Sequence, residues 1–397
     1  MVVREPVLIE ELLSRGVSEV VTKDELRQLL SSGRSLRVKL GIDPTSPHIH
    51  LGRAVPLLKL RDFQKLGHTV VFIVGDFTGI IGDTSDKESE RPMLSEKQVL
   101  ENLQSYFLEA GLILDMKRVE THYNSEWLSK LTYKEIGEHA EAFSLSDFIA
   151  RENIARRLSA GSRVSLREVL YPLMQGYDSV AVKADIELGG TDQRFNLLSG
   201  RRLQEKSGQK PQCIMTVPLI RGTDGRKMSS SLVNTISIAS SRSEMFGKVM
   251  SINDDAMREY FITLTRLPEE EINEIIGAVQ NGKGNPKSTK LRLAREIVKI
   301  FHGEKVSDIA LQNFEKVFSE GGIPAEVSEI KSVAGNLFRE LAVKSGIVSS
   351  KTEWRRLVLS GAVSYADTDV KISDSEAFVS KDVILKIGKR RFLKILV

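Results

Sequence analysis

Hydrophobic and polar positions in the first half of the chain repeat with two periods in turn. Short apolar runs bounded by polar residues predict buried strands, and apolar residues recurring every three or four positions predict amphipathic helices. The predicted strands are residues 36–42, 69–75, 118–121 and 184–188, and the predicted helices are 52–66, 95–110 and one that begins near 191. This alternation predicts an α/β fold with a doubly wound parallel sheet, whose ligand site lies at the carboxyl ends of the strands.

Beyond residue 240 the pattern is that of charged amphipathic helices. The predicted helices are residues 244–250, 254–263, 268–279, 289–301 and 307–318. A stretch with glycine and proline at 321–329 predicts a linker into the last segment. We therefore predict three domains, namely an α/β domain at 1–235, an α-helical domain at 236–322 and a small α+β domain at 333–397.

The last segment is locally basic. Its end alternates basic with apolar residues and predicts a strand, a turn at Gly388 and a second strand. Upstream, Ser349 and Ser350 predict the start of a short basic helix, which Gly361 ends. A basic helix close to a basic hairpin suits a phosphate backbone, and the alternative is a solvated basic face. The predicted RNA-binding residues are Lys351, Arg355, Arg356, Lys389, Arg390 and Arg391.

Composition narrows the class of protein. With 397 residues, of which 41% are hydrophobic, the chain can bury one large core and smaller ones. A net charge of +4 is too small for a protein that binds nucleic acid over its whole surface. One cysteine, Cys213, excludes an internal disulfide framework and a multi-cysteine zinc site. With no apolar run near the roughly 20 residues of a spanning helix, we expect a cytoplasmic protein without a membrane contact or a metal site.

Two clusters of polar residues follow the first two predicted strands. Residues 41–53 place Asp43, Thr45, His48 and His50 before a helix that Gly52 opens, and a strand end facing a helix N-terminus favours an anion. The alternative is a proline-rich connection with exposed histidines.

The second cluster, residues 75–91, is a glycine-rich loop. Its Asp83 could meet an ammonium group, and its Lys87 and Arg91 could meet phosphates. It lacks the spacings of a P-loop and of a dinucleotide fingerprint, so those enzyme classes are disfavoured.

Three further clusters lie between residues 171 and 231. Tyr171, Gln175 and Asp178 share one side of a predicted helix, although Pro172 could kink it. A Gly-Gly turn then precedes the start of a helix, where the polar residues are Asp192 and Gln193. Finally, residues 224–231 form a loop that could close over phosphates. Its basic residues are Arg226 and Lys227, followed by three serines.

Together these clusters resemble a class I aminoacyl-tRNA synthetase, and more closely the bacterial-type tyrosyl-tRNA synthetases, over essentially the full length. Residues 50–53 (HLGR) stand where the family has HIGH, and 227–231 (KMSSS) where it has KMSKS. Residues 171–178 (YPLMQGYD) and 188–193 (LGGTDQ) look like the tyrosine pocket. The resemblance implies a Rossmann-like catalytic domain, an anticodon-recognising helical domain, a small RNA-binding domain, and a homodimer formed by an insertion at about 115–165.

The resemblance also implies roles for individual residues. Tyrosine would be bound by Lys39, Asp43, Asp83, Tyr171, Gln175, Asp178 and Gln193, with Asp178 as the main reader of the phenol. ATP would be bound by Thr45, His48, His50, Gly52, Asp192, Lys227, Met228, Ser229 and Ser230. The catalytic groups would be His48, His50, Lys87, Arg91 and Lys227. Lys39 occupies a position where many of these enzymes carry a tyrosine near the phenol.

The implied reaction joins tyrosine to ATP as tyrosyl-adenylate, releases pyrophosphate, and then transfers the tyrosyl group to the 3′ end of tRNA(Tyr). ATP would come with Mg²⁺ as a co-substrate, without a tightly bound cofactor. Arg53 replaces the last histidine of HIGH and Ser230 replaces the second lysine of KMSKS. The alternatives are a tryptophanyl-tRNA synthetase, a non-catalytic RNA-binding relative that these two changes would explain, and a general nucleotidyltransferase.

Overall fold

The fold is taken from a computed structural model that describes residues 2–83, 93–319, 327–388 and 391–397. The chain divides into two compact units, Met1–Glu304 and Lys305–Val397. The predicted domain boundaries near 235 and 322 stay predictions.

A six-stranded sheet organises the first unit, in the order β1-β6-β5-β2-β3-β4. The strands are β1 Glu19–Val21, β2 Arg37–Ile42, β3 Thr69–Val74, β4 Val119–Tyr123, β5 Ile186–Gly190 and β6 Cys213–Val217. Strands β2 to β6 pair in parallel, and β1 runs antiparallel along β6. The α/β class and the four predicted strands are confirmed, whereas β1 and β6 were not predicted.

Helices cover this sheet and continue beyond it. They are α1 Pro6–Ser14, α2 Lys23–Ser31, α3 Leu51–Lys65, α4 Asp76–Ile81, α5 Glu96–Ala110, α6 Ser125–Leu128, α7 Tyr133–Ala140, α8 Leu145–Ile149, α9 Glu152–Ser159, α10 Leu166–Ala181, α11 Arg194–Lys206, α12 Arg242–Met250, α13 Met257–Leu264, α14 Glu269–Gln280 and α15 Pro286–His302. The helix α10 continues through Pro172. The predicted helical pattern beyond residue 240 is confirmed. The short helices α6 to α9 lie within residues 115–165, whose role as a dimer-forming insertion stays a prediction.

The burial of the central strands fits a parallel sheet covered on both faces. Residues 70–74 of β3 are all buried, as expected for a strand covered by helices on both faces. Ser165 starts α10 with a capping box, in which its hydroxyl accepts from the backbone of Glu168 and the Glu168 carboxylate accepts from the backbone of Ser165. Because the strands β2 to β6 run parallel, the turns that leave them along the chain converge on one edge of the sheet.

The second unit is a small α+β body. Its elements are α16 Glu304–Ser319 (from Lys305 onward), β7 Ser328–Lys331, α17 Phe338–Lys344, α18 Lys351–Leu359, β8 Val363–Tyr365, β9 Val383–Ile387 and β10 Arg391–Leu396. Its sheet has the order β7-β10-β9-β8, and Trp354 lies fully buried in its core. Ser350 accepts from the backbone of Glu353 at the start of α18, and Gly388 adopts a positive φ of 69° between β9 and β10, so the predicted helix and hairpin are confirmed.

The packing predicts that replacing leucine by alanine lowers the free energy of unfolding much more at a buried helical position than at an exposed one. Leu57 on α3 is 0% exposed, so Leu57→Ala should lower the free energy of unfolding by about 2–5 kcal/mol. Leu108 on α5 is 78% exposed, so Leu108→Ala should change that free energy by less than about 0.5 kcal/mol. Urea unfolding of the intact chain measures both, and equal shifts would contradict this packing.

Candidate active site

A cavity of about 680 Å³ opens at the carboxyl edge of the six-stranded sheet. It collects residues from separate sequence clusters, as expected for a doubly wound sheet. The predicted site residues that line it are Asp43, Thr45, His50, Gly52, Asp83, Tyr171, Gln175, Asp178, Asp192, Gln193, Lys227, Met228, Ser229 and Ser230. Lys39 and His48 do not line it. Lys87 and Arg91 lie outside the described residues.

Asp178 is a buried carboxylate at the cavity wall. Its Oδ1 accepts a hydrogen bond from the indole Nε1 of Trp127 at 2.8 Å, and its Oδ2 accepts from Nδ2 of Asn124 at 3.4 Å. Burial raises the pKa of Asp178 to about 7, and the nearby Lys39 ammonium acts in the opposite direction. Neither Asn124 nor Trp127 was predicted, although both follow the end of β4 and so stand where a site residue is expected.

Asp43 joins the ends of two strands to α10. Its Oδ1 accepts from the hydroxyl of Thr78 at 2.7 Å and its Oδ2 from the phenol of Tyr171 at 2.8 Å. Burial raises the pKa of Asp43 to about 6. Gly75 makes room for this arrangement, because a Cβ at that position would lie 2.0 Å from Oδ1 of Asp43 and 2.3 Å from the hydroxyl oxygen of Thr78.

A third carboxylate completes an acidic part of the cavity. Oδ2 of Asp83 accepts from Nε2 of Gln193 at 2.7 Å. Asn196 donates to the side-chain oxygens of Gln193, at 3.0 Å, and of Gln175, at 3.1 Å, and so aligns both amides. Carboxylates at Asp43, Asp83 and Asp178 make this part of the cavity suitable for an ammonium group together with a hydrogen-bond donor.

The HLGR segment provides neutral and cationic groups. His50 immediately precedes α3 and is buried, and its Nδ1 has no hydrogen-bond partner within the described part of the chain. Burial, aided by the positive charges of Arg53 and Lys227, lowers the pKa of His50 to about 3, so its imidazole is neutral at pH 7. The backbone N–H of Gly52 faces the sulfur of Met228 at 3.2 Å, which brings the KMSSS segment against the start of α3.

His48 and Arg53 are both engaged by protein groups. Nδ1 of His48 lies 2.6 Å from a carboxylate oxygen of Glu109, and the imidazole is largely exposed. The guanidinium of Arg53 donates to the hydroxyl of Thr45 at 2.7 Å, to the carbonyl oxygen of Asp43 at 3.3 Å and to the phenol of Tyr106. Arg53 therefore holds the turn after β2 in place as well as facing the cavity.

The KMSSS loop is held by a buried asparagine that was not predicted. Oδ1 of Asn234 accepts from the backbone of Ser229 at 2.9 Å, and Nδ2 donates to Asp224 at 2.7 Å and to the carbonyl oxygen of Lys227 at 3.0 Å. Arg226 pairs with Asp224 at 2.6 Å and does not line the cavity, so it does not take the place of the lysine that Ser230 replaces.

The start of α3 is also joined to the segment that follows KMSSS. The backbone N–H of Leu51 donates to the carbonyl oxygen of Ile236 at 2.8 Å, and that of Ile238 donates to Ile49 at 3.0 Å. The ammonium of Lys227 lies 2.9 Å from Oδ2 of Asp192, at the end of the neighbouring strand β5. The positive charge of the loop thus faces the carboxyl edge of the sheet.

The described ranges 2–83, 93–319, 327–388 and 391–397 contain neither a membrane-spanning helix nor a metal-binding cluster. No helix there is long and apolar enough to cross a bilayer. No group of three or more histidine, cysteine or acidic side chains there is arranged to hold a metal ion.

Solved structures resemble this fold. A truncated mitochondrial tyrosyl-tRNA synthetase of Aspergillus nidulans superposes with a TM-score of 0.66 at 22% identity, over 78% of this chain and 94% of that one. A tyrosyl-tRNA synthetase of Archaeoglobus fulgidus, in complex with L-tyrosine, gives a TM-score of 0.60 at 22% identity, over 77% of this chain and 100% of that one. At this identity the likeness shows the fold.

Sequence comparison identifies the family as well as the fold. A family model described as tRNA synthetases class I (W and Y) matches residues 31–319. The tyrosine–tRNA ligase of Thermotoga maritima is 44% identical over 388 residues, covering 97% of this chain and 96% of the relative. That of Carboxydothermus hydrogenoformans is 44% identical over 399 residues, covering 97% of each. The chain therefore belongs to the tyrosyl and tryptophanyl family of class I tRNA synthetases.

Proposed function

We propose that the protein is a tyrosine–tRNA ligase, which activates tyrosine with ATP and transfers the tyrosyl group to the 3′ end of tRNA(Tyr). The observation that carries this proposal is Asp178. Its carboxylate lines the cavity, receives hydrogen bonds from Trp127 and Asn124, and keeps lone pairs for one more donor. A phenol supplies that donor, whereas a phenyl ring would leave the buried carboxylate less satisfied.

The rest of the acidic part suits the amino group of the same substrate. Asp83, Gln175 and Tyr171 line one cavity with Asp178, so an amino acid can reach them while its ring points toward Asp178. Asp43 and Gln193 hold these groups through the hydrogen bonds described above. The relatives named as tyrosine–tRNA ligases support the choice of tyrosine.

ATP, as its Mg²⁺ complex, is the proposed co-substrate. His50 and the start of α3 offer neutral donors to phosphate, Lys227 offers a positive charge, and Asp192 offers an acceptor for ribose hydroxyls. Thr45, Met228, Ser229 and Ser230 line the same space. The Mg²⁺ ion would arrive bound to the phosphates, and a role for His48, Lys87 and Arg91 at the leaving pyrophosphate stays a prediction.

The chemistry requires alignment more than a reactive side chain. A carboxylate oxygen of tyrosine forms a bond to the α-phosphorus of ATP while the bond from that phosphorus to pyrophosphate breaks. A ribose hydroxyl of the tRNA then attacks the tyrosyl carbonyl, and AMP leaves. Positive charge from Lys227 and donors near His50 would stabilise the charge that develops on the phosphates.

Pyrophosphate exchange tests the substrate. With purified protein, ATP and labelled pyrophosphate, we expect exchange with tyrosine and little with phenylalanine, whose ring offers Asp178 no donor. We also expect little exchange with tryptophan, because its indole N–H lies on a larger ring and at a different position from the phenol O–H. Asp178→Ala should reduce exchange at low tyrosine by about a hundredfold, as expected for a lost hydrogen bond to a charged group.

The control is Asp367→Ala, a surface carboxylate in the second unit. Exchange with tryptophan instead of tyrosine would favour the tryptophanyl alternative. A folded protein that binds ATP but exchanges with none of the three amino acids would favour the non-catalytic relative.

RNA binding is the proposed role of the second unit. Arg355 and Arg356 on α18 are exposed, and Lys351 at its start pairs with Glu340. Arg391, at the start of β10, donates to Glu353 of the same helix, so the basic helix and the hairpin lie side by side. Lys389 and Arg390 lie outside the described residues, and their predicted role in RNA binding stays a prediction.

Charging of tRNA tests this surface. The triple variant Lys351→Ala, Arg355→Ala, Arg356→Ala should raise the KM for tRNA by about tenfold or more, because each lost phosphate contact weakens binding and its salt dependence. A matched triple variant removes exposed lysines of the first unit, namely Lys23, Lys97 and Lys117. Equal effects of the two variants on the KM for tRNA would contradict the assignment.

We infer that the protein forms a homodimer and acts in the cytoplasm, where tRNA is charged. Family membership supports the location. Support for the dimer comes from exposed apolar side chains in and beside the predicted insertion at 115–165. Tyr133 is 94% exposed, and Leu145, Leu158 and Leu166 are exposed as well. Such side chains on neighbouring helices suit burial against a second copy.

Sedimentation tests the dimer. The unsubstituted protein should sediment at twice its monomer mass, and Tyr133→Asp with Leu145→Asp should shift it toward the monomer, because a buried charge is costly at an interface. Val7→Asp, at a position on α1 that is 78% exposed, is the control. A monomer for the unsubstituted protein at micromolar concentration would overturn the proposal.

A further inference from the structure

An ion pair is buried next to the cavity, between Lys39 and Glu187. Its Nζ and Oε1 atoms are 2.9 Å apart, and the side chains are 0% and 1% exposed. The two residues are register partners on the parallel strands β2 and β5, so they project on the same face of the sheet. Neither side chain lines the cavity.

Lys39 has no proton left for a substrate. Besides Glu187, its ammonium donates to the hydroxyl of Ser179 at 2.8 Å and to the carbonyl oxygen of Gln175 at 3.0 Å. An ammonium group has three N–H donors, and all three are used. The direct contact with tyrosine that the resemblance implied for Lys39 therefore has no donor in this arrangement.

Glu187 contacts the same turn of α10. Its Oε2 accepts from the hydroxyl of Ser179 at 3.0 Å and from Nε2 of Gln212 at 2.5 Å. Its Oε1 lies 3.4 Å from Nε2 of Gln175. The pair thus fixes both the backbone and the side chains of the turn at 175–179, which also carries Asp178.

We propose that Lys39 and Glu187 are positioning residues for tyrosine selection: the buried pair holds the turn at 175–179 that carries Asp178, and its two charges act on Asp178 with opposite signs. The inference rests on the proposed function, because it concerns how that site reads its substrate. In this role neither Lys39 nor Glu187 contacts tyrosine.

The groups that interact with Asp178 come from the strands β2 and β5, from α10 itself and from the start of α6. They are Lys39 on β2, Glu187 on β5, Tyr171 on α10, Asn124 before α6 and Trp127 on α6. Burial raises the pKa of Asp178, the charge of Lys39 and the two donors lower it, and the charge of Glu187 raises it. A protonated Asp178 carries its own O–H, so it gains less from a phenol than a carboxylate does.

The signs of two substitutions follow. Lys39→Met removes the positive charge, so the pKa of Asp178 should rise, and tyrosine binding should be lost at a higher pH as the pH falls. Glu187→Gln removes the negative charge and keeps the shape, so this pKa should fall, and binding should persist to lower pH. A role in packing alone would not move the two midpoints in opposite directions.

The experiment is the pH dependence of tyrosine KM in pyrophosphate exchange between pH 6 and pH 9.5. For Lys39→Met we expect the midpoint to move up by about one unit, which raises the KM at pH 7 by roughly fivefold, because about half of Asp178 is already protonated there in the unsubstituted protein, with recovery toward pH 9. Its preference for tyrosine over phenylalanine should fall by a similar factor at pH 7. For Glu187→Gln the midpoint should move down.

Lys59→Met is the matched control. Lys59 is another buried lysine, on α3, and its ammonium donates to the carbonyl oxygens of Leu12 at 3.0 Å and Arg15 at 2.6 Å, away from the cavity. Its loss should lower thermal stability without moving the midpoint. If Lys39→Met does not fold, the double variant Lys39→Met, Glu187→Met leaves no unpaired buried charge and should show a midpoint above that of Glu187→Gln, because it also lacks the positive charge of Lys39.

The outcomes separate the two proposals. Midpoints that stay fixed, or that move in the same direction for Lys39→Met and Glu187→Gln, overturn the inference while tyrosine-dependent exchange by the unsubstituted protein upholds the function. Opposite shifts support the inference. Absence of tyrosine-dependent exchange in the unsubstituted, folded protein overturns both.

Discussion

One chain of hydrogen bonds connects the segments that form the cavity. It runs from Tyr171 through Asp43, Thr78 and Asn124 to Asp178. These residues follow β2, β3 and β4 or lie on α10, so the network joins three strand ends to one helix. Because its polar groups are buried, a broken link would leave an unsatisfied donor or acceptor, which makes the whole arrangement cooperative.

The departures from the family signatures have different structural settings. Arg53 bonds to Thr45 and to the carbonyl oxygen of Asp43, so its extended guanidinium braces the turn after β2. Ser230 lines the cavity without bringing a charge, and Arg226 is paired elsewhere in the loop. The positive charge that remains in the KMSSS segment is that of Lys227. In the proposed function, this segment therefore depends on Lys227 alone for charge-assisted binding of phosphate.

Local patterns were sufficient for the helices and strands that have a clear period, and for the clusters at strand ends. They were insufficient for β1, which has three residues and is defined by its pairing with β6. Asn124 and Trp127 were missed because their partners Thr78 and Asp178 lie about 50 residues away along the chain. Asn234 was missed because its partners, although only five to ten residues away, lie in a loop whose shape has no periodic pattern. Lys39 fell in a predicted strand, but its burial depends on the register that sets Glu187 beside it, which no local pattern encodes.

The close approach at Gly75 limits how such a pocket can be altered. Any side chain there would collide with both Asp43 and Thr78, and a side chain at Gly222 would similarly come within 2.5 Å of Asn234. Gly41, by contrast, has open space around its Cβ direction. In a library that explores new amino-acid substrates, positions 75 and 222 are closed to diversity, so variation has to enter through side chains on the cavity wall and leave the backbone beneath it unchanged.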